Sequence, residues 1–294
     1  MSDRSEGEGT DTDAEPEAGL TPAAAFALLG EPTRLAIVRA IWEAPDDVVT
    51  FSEIRDRVGT EDTGRFNYHL GKLRGQFVRK VEGDERSAAG YELRQAGLEV
   101  VRAVLAGVIN EAPVREATAF GAACPDCSGD LKVSYDGHGT VACSDCGTVW
   151  MHNEFPPAGL AGRDAQGLAM ALDRWTRHRS LLAFDGVCPS CASETALAVE
   201  ETSSGPFAER VCEHCEHASR APLWALVVHH PDAAGVLHAN GVEVVDRPFW
   251  ELAALEVDAT AGDEGFVLRF RADGGTLRVD LDADLRIVGT AHER

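Results

Sequence analysis

From residue 62 to 81 the apolar positions recur with a helical period. Phe66, Leu70, Leu73 and Phe77 fall at i, i+4, i+7 and i+11, which makes one buried stripe. The spacing predicts a helix over about 63–76, capped by Asp62 or Thr63. Upstream, Thr21-Pro22 is a cap followed by proline at the first helical position. A short helix then runs to Leu29, Gly30 breaks it, and Pro32 opens a second helix through Trp42 with Leu35, Ile37, Val38 and Ile41 apolar. Residues 48–50 read as a short strand. Thr50 and Glu53 match a capping box, so a helix over 51–58 follows and Gly59 closes it. After the 63–76 helix come two short strands, 77–82 and 91–93, and a last helix from Gln95 to about Asn110.

The order helix, short turn, helix, hairpin, helix is that of a winged helix-turn-helix domain. Beyond it the period changes. Residues 131–135 and 140–142 flank Asp136-Gly137-His138-Gly139, and 196–200 and 207–211 flank a Ser-Ser-Gly-Pro turn. Residues 164–183 are helical, with Leu168, Met170, Leu172 and Trp175 near the apolar side. Residues 222–238 are helical with Pro231 interrupting. Phe266, Leu268 and Phe270 alternate with polar or smaller residues, Leu277, Val279 and Leu281 continue after a hairpin turn, and 285–288 is a last strand.

Eight cysteines, all in Cys-x-x-Cys pairs, punctuate this region. Cys124/Cys127 precede Cys143/Cys146 with fifteen residues between, and Cys188/Cys191 precede Cys212/Cys215 with twenty between. Both spacings suit four-cysteine zinc sites. Each pair aims two thiolates from one turn, and the intervening residues suffice for two strands and a second such turn. The expectation is two zinc ribbons, hence two Zn per chain in closed shells with no open position for catalysis. Rubredoxin-like iron fits the same ligands, and a cross-braced pairing of first with third pair is an alternative. His214 and His217 stand beside the last pair but are not needed as ligands. The expected fold class is therefore multidomain α+β: a disordered acidic tail (1–20), a winged helix-turn-helix (21–112), zinc ribbon 1 (119–156), a connecting helix (157–184), zinc ribbon 2 (185–221) and a small C-terminal α+β unit with antiparallel strands (222–294).

Charge adds a contrast. The chain carries 49 acids against 27 bases, a net charge of −22, yet residues 63–81 hold Arg65, Lys72, Arg74, Arg79 and Lys80 and no acid. The use for such a patch is a polyanion. Arg65, Tyr68 and Lys72 lie roughly 200° round the helix from Phe66, so they are assigned to the major groove of double-stranded DNA. Asn67 and His69 flank that face. Arg74 closes the basic helix. Arg79, Lys80 and Arg86 belong to the hairpin and are assigned to phosphate contact. The rival reading of the helix alone is an ordinary amphipathic helix whose charged face meets water. The ribbons hold little positive charge, which suits scaffolding or contact with a protein partner. Arg174, Arg177, His178 and Arg179 form a second basic cluster, read as solvated or acid-paired.

The stretches GEPTRLAIVRAI, TFSEIRDRVG, FNYHLGKL and YELRQAG resemble archaeal winged-helix regulators of the ArsR-like superfamily, over residues 21–110. The resemblance implies a dimeric transcription regulator with its second helix in the major groove and its wing on the backbone. The chain has no cysteine before Cys124, so the cysteine motif of arsenic and cadmium sensors is absent. The whole layout resembles regulators of halophilic archaea, as do the pI near 4.8 and the 24 arginines against three lysines. No apolar run approaches the roughly 20 residues of a membrane span, and no secretory signal opens the chain, so a cytoplasmic protein is expected. No nucleophile–base pair, phosphate loop or acid pair stands out, so no enzyme is expected. The two rival functions are a protein-interaction or assembly factor and an enzyme with its site in the C-terminal unit.

Overall fold

The structure is a computed structural model that describes residues 20–83, 88–202, 204–239, 241–262, 264–272 and 275–293. The expected acidic tail and Arg86 lie outside the described residues. The fold is α+β with antiparallel sheets, and the chain divides into residues 1–109 and 110–294.

In the first unit, α1 (Pro22–Leu29), α2 (Pro32–Trp42), α3 (Phe51–Val58) and α4 (Thr63–Leu73) precede a hairpin of β1 (Val78–Val81) and β2 (Gly90–Leu93), then α5 (Gln95–Leu105). The capping box at α3 is complete: the Thr50 N–H donates to Glu53 and the Glu53 N–H to Thr50. Gly59 ends that helix in the left-handed region at φ 71°. The residues of the apolar stripe, Phe66, Leu70, Leu73 and Phe77, are all buried, with Ile37, Val38, Ile41 and Ile54 opposite them in one core. Fully burying each such side chain contributes roughly 1.5–3 kcal/mol. Two helices stop earlier than the apolar period suggests. Arg74 turns extended and Gly75 takes φ 91°, so α4 ends three residues short of 76. Gly107 at φ 78° likewise follows the end of α5. The expected strand at 48–50 is a single bridge from Val49 to Tyr91 of β2. It passes so close that a Cβ on Gly90 would stand 2.6 Å from a Val48 methyl.

The second unit holds three antiparallel sheets. The first runs in the order β3 (Arg115–Ala123), β4 (Asp130–Tyr135), β5 (His138–Cys143) and β6 (Val149–Glu154). After a 3-10 turn at Pro157–Leu160, α6 (Ala165–Phe184) is capped by Asp164, which accepts from the Gly167 N–H. Its Leu168, Ala169 and Leu172 pack with Leu131, Val133 and Val141 of the first sheet. Gly139 is where α6 comes closest, since a Cβ there would meet Leu172 at 2.6 Å. The second sheet is β7 (Thr195–Thr202), β8 (Gly205–Cys212) and β9 (Ala218–Pro222). Three short helices follow: α7 (Leu223–Val227), α8 (Pro231–Ala239) and α9 (Phe249–Leu252). The third sheet is a meander of β10 (Val257–Ala261), β11 (Gly265–Ala272), β12 (Gly275–Asp282) and β13 (Ile287–Glu293).

Two differences from the sequence reading have physical reasons. The last strand starts at Ile287 and not at 285, because Asp282 accepts from the N–H groups of Asp284 and Arg286 and Leu285 takes φ 63°, which makes 282–286 a turn. The four C-terminal segments are also not independent cores. Trp250 joins the first sheet and α6 in one cluster, and Ala208 of the second sheet joins Leu223, Leu268 and Phe270 in another. Among the described residues no helix is long and apolar enough to cross a membrane.

Candidate metal centres and nucleic-acid face

The cysteine pairs sit on four turns of one shape. The N–H of each first cysteine donates to the carbonyl two residues past the second: Cys124 to Gly129 at 2.8 Å, Cys143 to Thr148 at 2.9 Å, Cys188 to Ser193 at 2.8 Å and Cys212 to His217 at 2.9 Å. That bond folds the backbone back on itself. The residue after each second cysteine then adopts the left-handed region: Ser128, Gly147, Ala192 and Glu216, at φ 62°, 77°, 61° and 60°. For three non-glycine residues this conformation costs on the order of 1 kcal/mol each, a strain that the turn imposes in order to point both thiols one way.

The turns assemble in sequential pairs. Cys124, Cys127, Cys143 and Cys146 form one group, and Cys188, Cys191, Cys212 and Cys215 the other, with all Sγ atoms of a group within 4.8 Å of one another. Cys124–Cys146 and Cys127–Cys143 stand 3.8 and 3.4 Å apart, and Cys188–Cys215 and Cys191–Cys212 stand 3.6 and 3.5 Å apart. Four thiolates about 2.3 Å from a tetrahedral ion stand about 3.8 Å from each other, so each donor set fits one ion. The cross-braced alternative does not occur. The first cysteine of every pair is buried and the second exposed, so each centre lies at the end of its sheet. Backbone N–H groups of Asp145, Ser190 and His214 approach Cys143, Cys188 and Cys212 at 3.4 Å; at Cys188 burial opposes the charge, but the N–H groups of Ser190 and Cys191 hold the thiol below its usual range. Within each group the thiols divide: hydrogen bonding with Thr148 brings Cys146 down to about 6 and with Ser193 brings Cys191 down to about 6, whereas at Cys127 and Cys215 the backbone bonds of Gly129 and His217 are outweighed by the neighbouring thiols, which push them up to about 12 while no ion is bound. Thiolates are the form that ligates. Each group can therefore hold a metal ion with a complete protein shell.

In the first unit, α4 turns Arg65, Asn67, Tyr68 and Lys72 outward. Arg74, just past its end, is exposed as well. Tyr68 is 56% exposed, and the Lys72 ammonium lies 5.5 Å from its ring centre. Gly71 faces open space on the same helix. His69 is a correction. It is only 6% exposed, with Nδ1 at 3.4 Å from the Arg34 Nε and 3.4 Å from the Glu31 carboxylate, so it faces inward and not along the outer face of α4. Burial opposes the Glu31 charge, but the Arg34 N–H, the Thr33 hydroxyl and His69 hold its carboxyl below the usual range. Glu31 also stands 3.8 Å from the Arg65 guanidinium. On the hairpin, Arg79 pairs with Glu92, and Lys80 with Glu82 at 3.1 Å.

The sequence reading missed a third constellation. Asp173 and Arg177 form a buried pair on α6, and around them lie His229, Trp150, Trp224 and Phe249. The only sequence signal was the i, i+4 spacing of Asp173 and Arg177 within an otherwise basic cluster.

A family model described as "Domain of unknown function (DUF7347)" matches residues 22–104, inside the first unit. One described as "Domain of unknown function (DUF7351)" matches residues 121–287, a stretch that holds both cysteine groups. No curated protein matches the chain. The second match covers more than half of the sequence, and the chain belongs to the DUF7351 family.

Proposed function

We propose that the protein is a sequence-specific DNA-binding transcription regulator, with a winged helix-turn-helix in residues 21–112 and two structural zinc ribbons. One observation carries this reading: α4 follows α3 across a four-residue connection and exposes Arg65, Asn67, Tyr68, Lys72 and Arg74 with no acid among its own residues. A helix entering the major groove needs such a face, and a hairpin directly after it is placed to meet the backbone. In a chain of net charge −22 this local basicity restricts DNA attraction to one surface. The four-thiolate donor sets, soft and without an open position, suit structural zinc, two ions per chain. The exposed Leu105, Val108 and Ile109 at the end of α5 support a homodimer, and the weakly charged ribbons support contact with a protein partner.

Duplex DNA selected from a random pool tests the reading by titration at several potassium chloride concentrations. Arg65→Ala should cost about 1–3 kcal/mol on the selected site and relax preference at one base position. Lys80→Ala should weaken all sequences alike and reduce the salt slope by about one. If the double variants Arg65→Ala/Lys72→Ala and Arg79→Ala/Lys80→Ala bind as the wild type does, α4 and the hairpin are not the DNA surface, and a protein partner takes their place.

A further inference from the structure

Within the second unit a cavity of ≈ 150 Å³ lies between α6, β6, β9 and the start of α7. Its walls are aromatic. Trp224 stacks on Phe249 with centroids 5.2 Å apart and planes at 20°, Trp150 meets Phe249 at 6.5 Å, and the Arg220 guanidinium covers Phe207 at 4.8 Å. Of the lining residues only Arg220 is exposed, which places the mouth beside it.

The charges at the floor are already satisfied. Asp173 accepts from Arg177 at 2.6 Å and from the Phe249 N–H at 2.8 Å, while Arg177 also donates to the carbonyls of Val245 and Arg247. Burial, with Arg177 and His178 nearby, brings His229 down to about 4, so its ring is neutral near pH 7. Asn153, Ser180 and His229 also line the cavity, and two further polar atoms of the lining are sealed within its wall. Trp150 Nε1 and Thr176 Oγ1 are buried without a hydrogen-bond partner, although buried donors are ordinarily paired.

We propose that this cavity binds a small uncharged aromatic molecule that carries a hydrogen-bond acceptor. The volume sets the size, since an apolar cavity of about 150 Å³ accommodates benzene. The stacked rings set the planarity, because offset and edge-on ring contacts favour a further aromatic face. The satisfied floor sets the charge, because an ion there would have no partner, and Arg220 at the mouth is already held by Glu200 at 2.9 Å. Trp150 Nε1 sets the acceptor, since an indole nitrogen can only donate and the Thr176 hydroxyl can donate beside it. Both atoms are sealed from solvent, so a ligand would reach them only through a change of the Thr176 rotamer and a tilt of Trp150. The inference is independent of the DNA reading and stands or falls without it.

The test uses the full, metal-loaded chain and three probes: benzamide, with a ring and an acceptor; toluene, with the ring alone; and benzoate, with a charge. Tryptophan fluorescence, thermal shift and ligand-observed NMR read binding. Benzamide should bind one site with a Kd on the order of 100 µM, and benzoate should bind about tenfold more weakly or worse. Thr176→Val, close in shape to the native residue, should weaken benzamide about fivefold and leave toluene unchanged; Trp150→Phe, which also removes ring area, should weaken benzamide by a larger factor than it changes toluene. Ala225→Leu should fill the space and weaken both. Failure of benzamide to bind the folded wild type at millimolar concentration would overturn the proposal. So would benzamide binding that neither Trp150→Phe nor Thr176→Val alters. Benzoate binding as tightly as benzamide would overturn the uncharged class.

Discussion

Arg39 on α2 with Glu43 at its C-terminal cap, and Asp173 with Arg177 on α6, are ion pairs of the same spacing and the same 2.6 Å contact. Their surroundings differ. The first pair is 67% and 50% exposed, whereas Asp173 and Arg177 are 2% and 13% exposed. An exposed pair keeps its water and contributes about 0–1 kcal/mol, and base-before-acid is the weaker orientation along a helix. The buried pair has exchanged water for the Phe249 N–H and the carbonyls of Val245 and Arg247, so it ties residues 245–249 to α6. Position, not pairing, decides what a charge does here. In the first unit an apolar core holds the helices and charges such as those of Arg65 and Lys72 on α4 stay on the surface. In the second unit polar bonds and thiolate clusters are part of the framework.

Removing the metal should separate the two units most. Structural zinc sites of this kind contribute about 10–16 kcal/mol of apparent binding free energy. Chelation under reducing conditions should unfold the first and second sheets and leave α1–α5 folded. Cys143→Ser should lose one of two ions and loosen α6 and Trp250, which share the first sheet's core. Elemental analysis and hydrogen exchange, resolved for residues 22–105 and 110–293, give the answer. Unchanged protection of the second unit after metal loss would end the contrast.

Asp173→Ala comes next. It leaves the Arg177 charge buried without its carboxylate and orphans the Phe249 N–H, so the second unit should lose about 3–5 kcal/mol in urea unfolding. Asp173→Leu with Arg177→Met should recover only part of that loss, because it removes the stranded charge but leaves the Phe249 N–H and the Val245 and Arg247 carbonyls without these partners. A loss below 1 kcal/mol for the single change would show that the network is not structural.

What the sequence disclosed follows the reach of each signal. The Thr50/Glu53 box, Gly59, the Pro32 start and the Cys-x-x-Cys turns act within a few residues, and they appear where they were expected. His69 did not. It sits next to Leu70 at the edge of the apolar stripe, and Glu31 and Arg34, over thirty residues away, draw it inward. Strands β3 and β10 were missed because REATAFGAA and VDATA have weak alternation and are edge strands with one neighbour each. The Asp173 network and the aromatic cavity depend on contacts across about 76 positions, such as Phe249 to Asp173, which no local pattern encodes.

A smaller effect should come from His229. Burial first, then Arg177 and His178, lower it from 6.5 to about 4. Below pH 6.5 the unfolded chain takes up a proton that the folded one refuses until about pH 4. The contribution to stability is thus complete above 6.5 and is lost as pH falls from 6.5 towards 4. The ring is only half-buried, so solvent screens the effect. Melting curves between pH 7 and 5.5, with metal content checked at each point, should fall less steeply for His229→Gln than for the wild type. Parallel curves would remove His229 as a cause.

The smallest expected effect belongs to Arg39 and Glu43, and it sharpens the opening contrast because spacing and contact distance are shared while burial, orientation and backbone partners differ. A double-mutant cycle of Arg39→Ala and Glu43→Ala should give a coupling of about 0–1 kcal/mol in low salt. The same cycle in 1 M potassium chloride should give essentially none, since charges are screened there over about 3 Å. Coupling between Asp173 and Arg177 should persist in that salt, because neither side chain meets the ions. A coupling above 2 kcal/mol for the exposed pair, or equal salt sensitivity of the two, would mean that burial is not what separates them. The charges of the first unit would then be committed to its own stability, and the case for an outer face free to bind DNA would weaken with them.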